Sequence, residues 1–227
     1  MRFEPYHIIH EDRDIIVVNK PSGLLTVPIP KSKALNLFDL LKQQVKRSGP
    51  VFVVHRIDRF TSGIVLFART RVAYEFLKAQ FVDRSADRTY LAVVHGVPRS
   101  SGTLTHHLKL IKNSFKNVAV DSGDPNASMA RLNFKVLETF GDKASLVEIK
   151  LDTGLKNQIR VQFDCIDHPI IGDFQYGEHE DKLGIDRQAL HALSLEFTHP
   201  RTQKKMRLEA PLAKDIHKLI QRLKVLG

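Results

Sequence analysis

The chain has 227 residues, 42% of them hydrophobic and 26% charged, and 35 Lys and Arg against 25 Asp and Glu give a net charge of +10. A chain this long can bury roughly 70% of the surface it exposes when unfolded, which supports a real core and excludes intrinsic disorder. The longest apolar runs are four or five residues, against roughly 20 for a bilayer span. Met1-Arg2-Phe3-Glu4-Pro5 lacks the apolar core of a signal peptide, and Cys165, the one cysteine, excludes an internal disulfide. A soluble cytoplasmic protein is expected. The positive charge points to an anionic partner, of which nucleic acid is the commonest.

Tyr6–His10 and Ile15–Asn19 read as short strands around the turn Glu11-Asp12-Arg13-Asp14. Leu37, Leu40, Leu41 and Val45 recur at helical spacing, predicting a helix from Leu35 to about Arg47, ended by Ser48-Gly49-Pro50. Val51–Val54 and Ile64–Ala68 are buried-strand candidates flanking a polar loop. A helix over Val72–Val82 follows, with Val72, Phe76, Ala79 and Gln80 along one side, then a strand over Tyr90–Val94. Thr103–Ile111, Asn117–Asp121, Ala130–Phe140 and Ala144–Leu151 are strand-like between Gly, Asp, Asn and Pro clusters. Asn157 to about Ile166 has helical spacing, Leu193, Leu195 and Phe197 alternate as a half-buried strand, and Ile216, Leu219, Ile220 and Leu223 stripe a closing helix. The expectation is one α+β domain over residues 1–227, with a largely antiparallel central sheet and peripheral helices.

The stretch His55-Arg56-Ile57-Asp58-Arg59-Phe60-Thr61-Ser62-Gly63 lies between two apolar strands, so its polar groups sit on a loop held by a rigid scaffold. Arg56 and Arg59 flank Asp58 and favour its ionised form, which can act as nucleophile or base. Composition alone favours an ordinary turn in which Asp58 caps a backbone amide and both arginines are solvated, because Asp enters turns freely.

His55–Gly63 resembles the His-Arg-Leu-Asp-x-x-Thr-Ser-Gly signature of the RluA family of pseudouridine synthases, with Ile57 in place of Leu. Six further blocks follow the family in order. These are Asn19-Lys20-Pro21-Ser22-Gly23, the strand Arg88–Gly96, and Thr153-Gly154 with Gln158-Ile159-Arg160. Pro169–Asp173 with Tyr176-Gly177, then Gln188–Ala192, and Phe197-Thr198-His199-Pro200 complete them. The resemblance implies an enzyme that isomerises uridine in ribosomal or transfer RNA by breaking the N1–C1′ bond and rejoining the base through C5. It implies that Asp58 acts at the sugar, that Tyr90 packs on the base and is the candidate for proton chemistry at C5, and that Arg160 pairs with the catalytic carboxylate. Arg56, His55, Arg59, Lys20 and Lys156 are the candidate RNA contacts, Arg56 filling the stack that a flipped base vacates. The implied chemistry is redox-neutral and calls for no metal, organic cofactor or obligate protein partner.

Four positions depart from the family pattern. The usual Gly-Arg-x-His-Gln-Ile-Arg is Gly154-Leu155-Lys156-Asn157-Gln158-Ile159-Arg160, a usual His is Gln162, and a usual Gly before the proline block is Asp167. The alternative reading is therefore a catalytically silent RNA-binding protein or RNA chaperone on the same scaffold. A carboxylate hydrolase using Asp58 and a histidine lacks a recognisable nucleophile–base–orienter set. His106-His107, His191 and His199 show no metal-ligand spacing, and His191 reads as a core group on its strand. With a strand already at Ile15, the catalytic domain alone is expected, without a preceding RNA-binding domain.

Overall fold

The computed structural model describes residues 6–45, 49–111, 116–177 and 183–226. The reading of residues 1–5 and the expected helix end at Arg47-Ser48 lie outside them. In chain order the elements are β1 (His7–Glu11), β2 (Ile15–Lys20), α1 (Leu37–Gln44), β3 (Phe52–Val53), β4 (Ser62–Ala68), α2 (Arg71–Val82) and β5 (Asp87–His95). Then come β6 (Ser101–Ile111), β7 (Lys116–Val120), β8 (Ser128–Phe140), β9 (Ala144–Leu151), α3 (Gln158–Asp164), β10 (Leu190–Thr198), β11 (Lys205–Glu209) and α4 (Lys214–Leu226). The fold is α+β with mainly antiparallel strands, as the residue pattern predicts. No helix among the described residues is long and apolar enough to cross a membrane. The chain divides into two compact units, residues 1–88 with 192–213, and residues 89–191 with 214–227.

The first unit orders its strands β1-β2-β4-β10, with β3 on β4 and β11 on β10. Ile15, Ile16, Val17 and Val18 have no solvent exposure, because β2 is an interior strand flanked by β1 and β4. Successive side chains point to opposite faces, so both faces of β2 are covered there, which is why its run is continuously apolar and does not alternate. α2 starts on Thr70, whose Oγ1 accepts the Ala73 N–H at 3.1 Å. Its buried face is Ala73, Leu77 and Gln80, whereas Val72 is 77% exposed, so the expected stripe was set one residue too early. Gln80 closes the face with a two-way amide clip, Nε2 donating to the Thr198 carbonyl (2.9 Å) and Oε1 accepting its N–H (2.7 Å). β11 was not anticipated. Met206 and Leu208 alternate with Lys205, Arg207 and Glu209, and the charged positions hid a short strand that pairs with β10.

The second unit runs β5-β9-β8-β6-β7, and α3 lies against it through Val161, which packs on Leu108, Ala130 and Tyr176. Phe163 meets Phe134 edge-on, centroids 5.4 Å apart. α3 ends in a double hydrogen bond, His168 N–H to the Phe163 carbonyl (3.0 Å) and Asp167 N–H to that of Asp164 (3.0 Å), with Asp167 left-handed at φ 60°. This is the turn in which glycine is preferred, which accounts for the family's glycine there. Asp167→Gly is expected to raise stability by about 0.5–1 kcal/mol, read as a higher urea midpoint with an unchanged m-value.

Candidate active site

In the first unit, the loop carrying Asp58 is framed by the Pro21–Leu25 segment. Gly23 N–H donates to the Arg59 carbonyl (2.9 Å), and Arg59 Nε returns a bond to the Gly23 carbonyl (2.9 Å). Ser22 Oγ reaches the Phe60 carbonyl (2.9 Å). Thr26 Oγ1 both donates to the Ile57 carbonyl (2.8 Å) and accepts its N–H (3.3 Å). Gly23 adopts φ +85°, a conformation that excludes most side chains. The early Asn-Lys-Pro-x-Gly block thus clamps the Asp58 loop, chiefly through the loop's backbone carbonyls.

Lys20 completes that clamp and corrects its expected role. It has no solvent exposure, and its amine donates to the carbonyls of Pro21 (2.9 Å), Leu24 (2.7 Å) and Arg59 (3.0 Å). Three ammonium donors meeting three carbonyls offset the cost of burying the charge. This lysine is neither a solvated turn residue nor a surface cation facing phosphates.

His55 is corrected in the same way. Its Nε2 accepts the Leu66 N–H at 3.0 Å, and its ring stacks on Phe81 at 4.7 Å. Burial, with Arg88 and Lys78 nearby, holds its pKa down to about 3. It is a neutral ring fastening the loop to β4, not a charge offered to RNA. The unfolded histidine binds a proton near its ordinary 6.5 and the folded one does not, so stability rises with pH between about 3 and 6.5. The urea midpoint is expected to fall on acidification from pH 7 to pH 4.5, with a clearly shallower dependence in His55→Phe. Parallel profiles for the two proteins would refute this.

Arg56 and Arg59 are exposed and Asp58 is half-buried. The loop closes with Thr61 N–H donating to the Asp58 backbone carbonyl (3.2 Å). The signature's last glycine has a steric cause: Gly63 has φ +114°, and a Cβ there would collide with the Ala192 carbonyl on β10. Any side chain at 63 would push β4 away from β10 and move the loop.

In the second unit, Tyr90 is buried on β5 opposite Ile149, Lys156 is exposed, and Arg160 lies in the first turn of α3. Arg160 forms a bidentate pair with Asp173, Nε to Oδ2 at 2.6 Å and an Nη to Oδ1 at 2.7 Å. It also donates to Gln175 Oε1 (3.0 Å) and lies over the Tyr176 ring at 4.9 Å. Asp173, quoted in the sequence only as part of a block, is therefore a functional candidate whose partner lies 13 positions away. The altered third motif holds its shape by other means. Gln158 Oε1 accepts from Thr153 Oγ1 (2.8 Å) and Leu155 N–H (3.0 Å), and its Nε2 donates to the Arg131 carbonyl (3.0 Å). Asn157 occupies the left-handed region at φ 56°, which asparagine tolerates well. Gln162 is fully buried and donates to the Leu104 and Ala130 carbonyls (3.1 and 3.2 Å).

Sequence spacing shows no metal cluster, but the first unit gathers Asp12, Asp14 and His199 within 4.8 Å. Their polar atoms are engaged. His199 Nδ1 accepts the N–H groups of Arg201 (3.2 Å) and Thr202 (3.1 Å), so Nε2 carries the proton and donates it to Asp12 (3.0 Å). Asp14 holds Arg201 with both oxygens (2.5 and 2.8 Å). Burial would raise the Asp12 pKa, but bonds from His10, the backbone of Asp14 and Ile15, and His199 hold it at about 2. The cluster is a hydrogen-bonded corner tying the β10–β11 turn to the β1–β2 turn.

Residues 14–164 match the family model described as RNA pseudouridylate synthase. An uncharacterized RNA pseudouridine synthase of Bacillus subtilis is 37% identical over 97% of this chain and 73% of its own. Ribosomal large subunit pseudouridine synthase C of Vibrio vulnificus is 34% identical over 96% and 69%, and synthase D of Zymomonas mobilis 32% over 97% and 74%. Among solved structures, human RNA pseudouridylate synthase domain containing 4 superposes with a TM-score of 0.81 at 24% identity, covering 96% of this chain and 93% of that one, which supports the fold. A family model spanning most of the described motifs, and relatives above 30% identity along nearly the whole chain, agree with each other: the chain belongs to the RNA pseudouridylate synthase family, in its RluA branch, and is an RNA pseudouridine synthase.

Proposed function

We propose that this enzyme converts uridine to pseudouridine in ribosomal RNA of the large subunit, working in the cytoplasm with Asp58 as its catalytic carboxylate. The carrying observation is the loop itself: four contacts from Gly23, Ser22 and Thr26 hold its backbone, and the Asp58 and Arg56 side chains are half-buried and exposed. Relatives named for the large ribosomal subunit support the choice of RNA.

The reaction breaks N1–C1′, turns the uracil, forms C5–C1′, and moves the C5 proton away while N1 gains one, with no net redox change. Asp58 serves the sugar, either by bonding to C1′ or by taking the C2′ proton. Tyr90 supplies a stacking face, worth about 1–3 kcal/mol to an extruded base. The target leaves its stack at a cost of a few kcal/mol, and the planar guanidinium of Arg56 recovers part of it by filling the gap. Asp173 fixes the direction of the Arg160 guanidinium, and Arg59 and Lys156 meet phosphates.

The test is pseudouridine mapping of total RNA from cells with and without the protein, paired with tritium release from C5-labelled ribosomal RNA. Loss of one or a few large-subunit sites on deletion is expected. Lost sites confined to transfer RNA would overturn the substrate, and an unchanged map with no tritium release would favour the silent RNA-binding protein.

A further inference from the structure

The second unit contains a cleft of about 400 Å³ that the reaction above does not use, lined by Pro98, Arg99, Ser101–Leu104, Phe134, Ile166 and His168. Its size is at the small end of ligand sites, which run roughly 300–1,000 Å³. Three features give it a chemistry. The first is an aromatic floor: a Cβ at Gly102 would lie 3.0 Å from Phe134 Cε1, so glycine is what lets the ring lie there undisplaced.

The second is hydrogen-bonding capacity. His168 Nδ1 lies 2.8 Å from the His95 carbonyl, which only accepts, so Nδ1 carries the proton and Nε2 is left as an acceptor. β6 pairs with β8 along Ser101–Leu108 but with β7 only along His107–Ile111. The outer edge of Ser101–His106 therefore has no partner strand among the described residues, although Gln162 takes the Leu104 carbonyl. The third is charge. Arg99 is exposed at the rim, and no described residue forms an ion pair or hydrogen bond with its guanidinium.

A flat ring on an aromatic floor, an edge of backbone polar groups, an imidazole acceptor and one open cation together suit a nucleotide. We propose that this cleft is an accessory subsite for one unpaired nucleotide of the RNA substrate, its base in the cleft and a neighbouring phosphate on Arg99. The proposal rests on the RNA-modifying reading above and adds to it a contact that selects which RNA is bound, separate from the chemistry of Asp58.

The test measures kcat and KM on ribosomal RNA for wild type, Arg99→Ala, Arg99→Glu and the cleft-filling Ile166→Trp. Arg99→Glu and Ile166→Trp are expected to raise KM about tenfold with kcat unchanged, and Arg99→Ala to lower the salt slope of binding by about one. Arg99 is exposed, so its variants fold even if Ile166→Trp does not, and replacing Ile166 by Phe then supplies the filling arm. Wild-type KM in every variant overturns the proposal. An Arg99 effect with none from filling the cleft overturns it too, by reducing the site to a surface phosphate contact. If AMP, GMP, CMP or UMP bind the cleft in saturation-transfer NMR while RNA KM stays unchanged in the variants, the cleft takes free nucleotides and the RNA assignment fails. If the chain makes no pseudouridine at all, the parent reading has failed. RNA affinity of Asp58→Asn with and without Arg99→Glu then still decides the cleft, equal affinities overturning it.

Discussion

Asp58→Asn is expected to lower turnover by about three orders of magnitude or more, while RNA affinity stays within a few-fold. That loss corresponds to about 4 kcal/mol of transition-state stabilisation. The substitution keeps size and shape and removes the charge on which either version of the sugar chemistry depends. The contacts through the Asp58 backbone carbonyl and the backbones of Gly23, Ile57 and Arg59 survive the substitution. A carboxylate that only capped a turn would give a different result, with a lower melting temperature and near-normal turnover in the folded fraction. Tritium release per folded enzyme, with filter-binding affinity on the same RNA, separates the two. Near wild-type turnover would remove Asp58 from the chemistry.

The sequence showed those parts of the site that are local in the chain. His55–Gly63 reads as a polar loop between strands because its nine residues carry both the punctuation and the charges. Its contents were harder to assign. Lys20 and His55 look like RNA contacts by type, since lysine is usually at the surface and histidine is often partly exposed. The fold buries Lys20 under three carbonyls and closes the His55 ring against Phe81. Residue type gives no sign of such local enclosure. Gly63 could be read as a motif letter, yet its cause, the backbone of Ala192, lies 129 positions further along. The gathering of Asp12, Asp14 and His199 is equally non-local, across 187 positions between Asp12 and His199. The departures in the third motif lie between these cases. Asn157 and Asp167 both occupy left-handed positions, so the sequence told that something had changed and the backbone told why it is tolerated.

The second large effect is expected at Asp173. Arg160 and Asp173 are almost fully buried, with side-chain exposures of 9% and 1%. Asp173 Oδ1 also accepts the N–H groups of Gln175 (3.1 Å) and Tyr176 (3.3 Å). Asp173→Ala thus removes the bidentate carboxylate from a buried guanidinium and leaves two backbone donors uncovered. Breaking a buried pair by removing one partner costs about 3–5 kcal/mol, because the remaining charge is uncompensated. In a chain of this length that lowers Tm by roughly 10 °C. Arg160→Met is expected to cost less, since the remaining carboxylate keeps its two backbone donors and can take up a proton, whereas a guanidinium cannot shed one. The double variant Asp173→Ala/Arg160→Met should then be more stable than Asp173→Ala alone, a non-additivity reserved for groups in contact. Thermal melts of the four proteins test this, and a double variant less stable than either single would show that the pair is not the unit that holds α3 to the 169–177 turn. Activity gives the second reading. If the pair only supports structure, Asp173→Glu should recover turnover in step with Tm. If the direction of the Arg160 charge matters to the reaction, Asp173→Glu will restore Tm and leave kcat low, because the longer side chain keeps the charge paired but moves the fork.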